Sequence, residues 1–168
     1  MSLAEKYPKE IKQILAKYPP EQKRSAVMPL LHLAQLQEGH VDRHAMQEIA
    51  ALLEITETEI ASIIGFYTLY HDKPEGKLRI QVCTDLPCAL RGADKFLADL
   101  CGKLGIQPGE TTPDGLVTVE AVMCLAACDK APMFQTQGPN GIEYHEHMTV
   151  EKTMELIDGL KKTSGEVK

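Results

Sequence analysis

The chain has 168 residues, of which 43% are hydrophobic, and a formal net charge of −6 at pH 7. The length fits one ordinary globular domain, or a small helical module attached to a compact core, and the acidic balance without a dense lysine and arginine patch excludes nucleic-acid binding. No apolar run approaches the ~20 residues of a membrane helix and the first residues lack a secretory signal, so we expect a cytoplasmic protein without direct membrane insertion.

Residues 1–74 have the pattern of a helical module. Apolar residues recur at helical spacing until Pro19-Pro20, which ends a first helical segment. A second segment runs from about Glu21 to Gly39, and Asp42 is placed to cap a third. A fourth begins at Thr56, because Glu59 three residues later completes a capping box. The sequence therefore predicts a small helical bundle for this part.

Residues 75–168 change period and predict a second domain. Alternating apolar residues predict a strand over 77–82, and the apolar stripe after Cys88 predicts an amphipathic helix. The further predicted elements are a strand at 116–122, two strands flanking the turn signal GPNG at 138–141, and a helix from about Thr149. This order predicts a four-stranded α/β sandwich.

Four of the five cysteines form one pattern at the ends of the first two predicted strands. Cys83 and Cys88 form one close pair, and Cys124 and Cys128 form another. If the two strands lie side by side and parallel, both pairs fall on one edge of the sheet. Because intracellular thiols are kept reduced, this pattern favours metal binding or redox chemistry over a structural disulfide framework.

The residue types alone leave several interpretations of these thiols open. A structural zinc accepts four cysteines, and so does an iron–sulfur cluster. A binuclear cluster takes two thiolates on each iron, which suits the wide spacing within each pair, whereas a redox disulfide or ordinary core thiols are further alternatives. The fifth cysteine, Cys101, lies on the apolar stripe of a predicted helix, where a buried small side chain is expected.

The motifs resemble a known family. The chain has the pattern C-x4-C followed by C-x3-C, with GETTPDG ahead of the second pair, CLAACDKAP around it and GFYTLY closing the helical part. In these motifs it resembles the thioredoxin-like [2Fe-2S] subunit of respiratory complex I, the 24 kDa type. The resemblance covers roughly residues 7–161. It implies a thioredoxin-like [2Fe-2S] domain at 75–168, preceded by the helical module at 1–74.

By this resemblance Cys83, Cys88, Cys124 and Cys128 bind one [2Fe-2S] cluster, and the chain carries single electrons in an NADH:quinone oxidoreductase. FMN and NADH are then expected on a partner flavoprotein subunit, in a peripheral arm at the cytoplasmic face of the membrane. Related subunits of NAD-reducing hydrogenases and NAD-dependent formate dehydrogenases share the motif, and a homodimer is an alternative for the isolated chain. Where the family usually has glycine within its second pair, this chain has Ala126. If this position needs a positive φ angle, alanine there costs about 1 kcal/mol.

Overall fold

The computed structural model describes residues 2–138 and 141–165, and side chains within these ranges up to residue 161. The chain divides into two compact units, Met1–Pro74 and Glu75–Lys168. The two central residues of the predicted GPNG turn, Pro139 and Asn140, lie outside the described residues. Among the helices of the described part, none combines the length and apolarity that crossing a bilayer requires.

The first unit is built from helices, and two of them begin where the capping signals predict. The segment predicted from about Glu21 to Gly39 is a 3₁₀ segment followed by a helix that begins at Val27. Asp42 caps one helix, its Oδ1 accepting the Ala45 amide at 2.7 Å, and Thr56 with Glu59 forms the predicted capping box. The helices are α1 (Leu3–Lys6), α2 (Pro8–Leu15), α3 (Val27–Glu38), α4 (Arg43–Leu53) and α5 (Glu57–Phe66), with a 3₁₀ segment at Pro20–Ala26 between α2 and α3. These helices enclose their own apolar core, in which Leu30 and Ile49 are fully buried.

The second unit is a mixed sheet with helices, so the predicted α/β fold class is confirmed. Its elements are β1 (Leu78–Cys83), α6 (Leu86–Ala89), α7 (Ala93–Leu104), β2 (Glu110–Thr111), β3 (Val117–Val122), β4 (Phe134–Gly138), β5 (Gly141–His145) and α8 (Val150–Gly165), with a 3₁₀ turn at Cys128–Lys130. The sheet has five strands in the order β2-β3-β1-β4-β5, one more than predicted. The added strand β2 has two residues, too few to show an alternating pattern.

Strand β1 lies at the centre of the sheet and positions the first cysteine pair. It pairs in parallel with β3 and antiparallel with β4. Its residues Leu78, Ile80 and Val82 point into an apolar core shared with α7 and α8, which contribute Leu100 and Ile157 among others. The opposite face of the sheet carries polar side chains. The central strand of the sheet therefore ends at Cys83, where the first cysteine-bearing loop begins.

Candidate metal centre

The two cysteine-bearing loops leave the sheet at the same edge, as the strand pattern predicts. In the parallel pair of β1 and β3, Cys83 is the register partner of Val122. The amide of Thr84 then donates to the Val122 carbonyl at 3.0 Å, which continues the pairing by one residue. Cys83 thus stands at the end of one strand, and Cys124 follows two residues after the end of its neighbour.

The first loop holds its two cysteines in the protein interior. Cys83 is 0% and Cys88 is 1% exposed. Asp85 begins α6, since its carboxylate accepts the Leu86 amide at 2.9 Å and its carbonyl accepts the Cys88 amide at 2.8 Å. This single capped turn brings Cys88 back towards Cys83.

The second loop is fastened at both ends, and its cysteines are more accessible. Cys124 is exposed and Cys128 is half-buried. The guanidinium of Arg91 donates to the Asp129 carbonyl at 2.9 Å, which ties this loop to the segment after α6. The hydroxyl of Tyr144 on β5 donates to the Leu125 carbonyl at 3.3 Å. Sequence reasoning missed Arg91 and Tyr144, because no local pattern signals such contacts.

Small and apolar residues line the space around the thiols. Ala93, Ala131 and Met133 are buried in one cluster with Cys83 and Cys88, and Leu125 and Ala127 pack against it. The Ala131–Pro132 peptide bond in this wall is cis. Such a lining keeps water from the buried sulfurs of Cys83 and Cys88.

The four thiols interact electrostatically as one group. Burial first, and then the neighbouring thiol of Cys83 and the charges of Cys128 and Cys124, raise the pKa of Cys88 to about 12. Burial and then the charge of Cys124 raise the pKa of Cys128. The shift of the Cys88 pKa therefore involves each of the other three cysteines of the pattern. Thiols that resist ionisation together become thiolates when a cationic group binds them, so this donor set fits a metal centre.

The strongest electrostatic interactions among the four thiols are those within each cysteine pair. Among the neighbouring thiols, Cys83 acts most strongly on the pKa of Cys88, and Cys124 acts most strongly on the pKa of Cys128. In the residues that the structure describes, no group of three or more His, Cys, Asp and Glu side chains is placed to hold a metal ion. The two close pairs along the chain, Cys83 with Cys88 and Cys124 with Cys128, suit a binuclear centre in which each metal atom takes two thiolates.

Cys101 lies apart from these pairs. It is 3% exposed and belongs to the apolar core between the sheet and the helices. Burial, and to a smaller extent the charge of Glu110, raise the pKa of its thiol. It therefore has the surroundings of a small core side chain, as its position on the helix stripe predicts.

Ala126 occupies the left-handed conformation that glycine adopts most easily. Its φ angle is +59°, and its amide donates to the Cys124 sulfur at 3.3 Å. An L-residue other than glycine in this region costs about 1 kcal/mol.

We expect Ala126→Gly to raise the free energy of unfolding by about 1 kcal/mol, because glycine removes the strain at this φ angle. The measurement is the urea midpoint of the far-ultraviolet circular dichroism signal. Ala127→Gly is the matched control: its φ angle is −124°, so glycine there should lower stability by about 0.5 to 1 kcal/mol. Equal effects of the two substitutions would contradict a strained Ala126.

Comparison with known protein families and sequences gives consistent findings. A family model described as thioredoxin-like [2Fe-2S] ferredoxin matches residues 11–161. The chain is 42% identical over 151 residues to NADH-quinone oxidoreductase subunit 2 of Thermus thermophilus, covering 90% of this chain and 82% of that protein. It is also 42% identical over 149 residues to an NADH-quinone oxidoreductase subunit of Rickettsia bellii, covering 88% of this chain and 87% of that one.

A solved structure shares the fold. An NAD⁺-reducing [NiFe]-hydrogenase in the air-oxidised state superimposes with a TM-score of 0.65 at 21% sequence identity. The match covers 80% of this chain and 23% of the hydrogenase chain. At this identity the likeness concerns the fold alone, which makes up about a quarter of the longer polypeptide.

Proposed function

Since the chain belongs to the thioredoxin-like [2Fe-2S] ferredoxin family, we propose that Cys83, Cys88, Cys124 and Cys128 hold one [2Fe-2S] cluster per chain. The observation that supports this assignment most directly is the placement of two cysteine pairs at the carboxyl ends of adjacent parallel strands. The family resemblance that the sequence motifs indicate is confirmed by the family match. The assignment of the four ligands is our proposal.

The residues of the site would bind the cluster, stabilise its negative charge and limit the access of water. When bound, a [2Fe-2S] cluster supplies one-electron oxidation and reduction. Cys83 and Cys88 would bind one iron from the buried side, and Cys124 with Cys128 would bind the other nearer to solvent. The Ala126 amide would stabilise negative charge on the Cys124 sulfur, and the apolar lining would keep water away from Cys83 and Cys88. The chain itself provides no substrate site in this scheme.

The relatives indicate the assembly in which the chain works. Those described above are named as subunits of NADH-quinone oxidoreductase. We propose that this chain is the corresponding electron-transfer subunit, next to a flavoprotein that binds FMN and NADH, in a peripheral arm at the cytoplasmic face of the membrane. The alternative is the same role in an NAD-reducing hydrogenase, a class of enzyme in which the same fold occurs, or in an NAD-dependent formate dehydrogenase.

We further propose that the two compact units correspond to two functional domains. The ferredoxin domain would span residues 75–168 and hold the cluster, and the helical module at 1–74 would contact the flavoprotein. The division of the chain between Pro74 and Glu75 supports this boundary.

Metal analysis of the purified chain tests the proposed cofactor. We expect a brown-red protein with about two irons and two acid-labile sulfides per chain, whose visible absorption bleaches with dithionite. The competing function is a structural four-cysteine zinc module. A colourless protein with one zinc per chain would contradict the electron-transfer role. Recovery of a self-associated dimer without a flavoprotein would instead indicate a free-standing ferredoxin.

A further inference from the structure

One peptide group in the second cysteine-bearing loop is held at both of its ends. The peptide that joins Leu125 to Ala126 carries the Leu125 carbonyl on one side and the Ala126 amide on the other. The carbonyl accepts a hydrogen bond from the Tyr144 hydroxyl at 3.3 Å. The amide donates to the Cys124 sulfur at 3.3 Å. Tyr144 is therefore connected to a proposed iron ligand through a single peptide unit.

Tyr144 reaches this carbonyl from a fixed place in the sheet. It lies on β5 opposite Gln135 of β4, and Gln135 lies opposite Gln81 of β1. The side-chain amide of Gln135 donates to the side-chain oxygen of Gln81, so side chains also join β4 to β1 at this level. A group placed on a strand is held more precisely than a group on a loop. The sheet can therefore fix the orientation of a peptide in the cysteine-bearing loop.

The strain at Ala126 opposes the orientation that this peptide has. With the flanking Cα atoms in place, rotation of the peptide plane changes ψ of Leu125 and φ of Ala126 together. Such a rotation would take the φ angle of Ala126 from +59° towards the negative values that alanine prefers. It would also turn the amide away from the Cys124 sulfur. An orientation that alanine disfavours needs a hydrogen-bond partner that stabilises it.

We propose that Tyr144 is a positioning residue, whose hydroxyl holds the Leu125 carbonyl so that the Ala126 amide faces the Cys124 sulfur. This inference rests on the proposed function. When the chain accepts an electron, negative charge increases on the ligand sulfurs, and an N–H donor stabilises that charge. The hydroxyl also strengthens the amide as a donor, because hydrogen bonds in a chain polarise one another. Tyr144 thereby raises the reduction potential of the chain.

The test is Tyr144→Phe in the purified full-length chain, because phenylalanine keeps the ring and removes the hydroxyl. The side chain is 52% exposed, so we expect iron per chain to stay at the wild-type value. The ratio of reduced to oxidised chain at a fixed potential should fall about fivefold, a shift of about 40 mV to more negative potential for one electron. A redox titration followed by electron paramagnetic resonance measures this ratio.

Tyr70→Phe is the matched control. It also removes a tyrosine hydroxyl that donates to a backbone carbonyl, that of Met28 at 2.9 Å. This carbonyl belongs to neither cysteine-bearing loop, so the reduction potential should equal that of the wild type. A wild-type potential in Tyr144→Phe, or the same shift in Tyr70→Phe, would overturn the proposal.

Glycine at position 126 separates peptide orientation from every other effect of Tyr144. Tyr144→Phe combined with Ala126→Gly should change the ratio less than about twofold, because glycine takes the positive φ angle without strain and keeps the amide on the sulfur. Ala126→Gly alone should have the wild-type potential, since Tyr144 already holds the peptide. If glycine did not reduce the shift caused by Tyr144→Phe, the hydroxyl would act through something other than the peptide, and the proposal would be wrong.

Iron content keeps this inference apart from the proposed function. A wild-type chain without iron would contradict the proposed function and this inference with it. An iron-containing chain whose potential ignores Tyr144→Phe would overturn only the role of Tyr144. If Tyr144→Phe loses its iron, the double variant with Ala126→Gly decides. Iron that returns in the double variant would support peptide orientation as the cause, and loss of iron in both variants would overturn it.

Discussion

Replacing Cys124 with alanine is expected to abolish iron incorporation, lowering iron from about two atoms per chain to nearly none. Each iron of a binuclear centre needs two thiolates, and alanine leaves one iron a ligand short. Cys124 is exposed, so its removal opens no cavity and loss of iron cannot be attributed to misfolding. Cys83→Ala should give the same result from the buried pair. Iron and sulfide analysis and the visible absorption spectrum are the measurements.

The fifth cysteine provides the control for this experiment. Cys101 is 3% exposed and lies in the core of the same unit. Cys101→Ala removes one buried sulfur at a cost of about 1 kcal/mol in packing, and it should retain the full iron content and spectrum. A Cys124→Ala protein with wild-type iron would contradict the four-cysteine assignment. Loss of iron in Cys101→Ala would show that iron content reports stability rather than ligation.

The features that local chemistry determines were predictable from the sequence. Thr56 and Glu59 signal the start of α5, because a capping box needs contacts over only three residues. The meeting of the two cysteine loops was also predictable, since parallel neighbouring strands end at the same edge. The strand pattern alone therefore predicts that both cysteine pairs lie at the same end of the sheet, without any knowledge of tertiary contacts.

The contacts that hold the second loop were not predictable in the same way. Arg91 reaches a carbonyl 38 residues away, and Tyr144 reaches one 19 residues away. No periodic pattern or turn signal encodes such pairs. The sequence raised a left-handed φ angle at Ala126 only as one possible requirement of the loop, because the family that the chain resembles usually has glycine at this position. The structure shows that this chain adopts the conformation despite its methyl group.

Strand β1 is more buried than its sequence suggests. An alternating apolar and polar pattern usually indicates a strand with one face exposed to solvent. Both faces of β1 are buried, including Arg79 at 5% and Gln81 at 0% exposure. The strand tolerates this burial because its polar groups bond to one another. Gln81 donates to the Glu120 carboxylate at 2.7 Å and accepts a hydrogen bond from Gln135. Such networks stabilise a sheet only while every member is satisfied.

Arg79 is the cationic member of this network. Its guanidinium pairs with the Glu75 carboxylate and lies 3.8 Å from the Glu120 carboxylate. It also donates to the Gln137 amide oxygen at 2.9 Å. Both carboxylates are about three-quarters buried, with side-chain exposures of 23% and 27%. Removing the cation would leave two partly buried negative charges close together.

We expect Arg79→Met to lower the free energy of opening of β1 by about 2 to 3 kcal/mol. Methionine keeps the apolar stem, and the loss is smaller than for a fully buried pair because both carboxylates retain some solvent. Hydrogen–deuterium exchange of the β1 amides measures this free energy of opening in the cluster-containing protein. We expect the protection factors to fall about 30- to 150-fold. Lys95→Met is the control in the same unit: its pair with Asp99 is 80% and 50% exposed, so protection should change less than about fivefold.

A second substitution shows whether unpaired charge or lost packing causes the lower protection of β1 in Arg79→Met. Adding Glu120→Gln to Arg79→Met removes one of the unpaired charges while keeping a side chain that can still bond to Gln81. Protection of the β1 amides should therefore recover in part, although Glu75 keeps its charge. If the double variant were less protected than Arg79→Met alone, Glu120 would stabilise the sheet through Gln81 rather than through Arg79. The cost of losing Arg79 would then lie in packing rather than in unpaired charge.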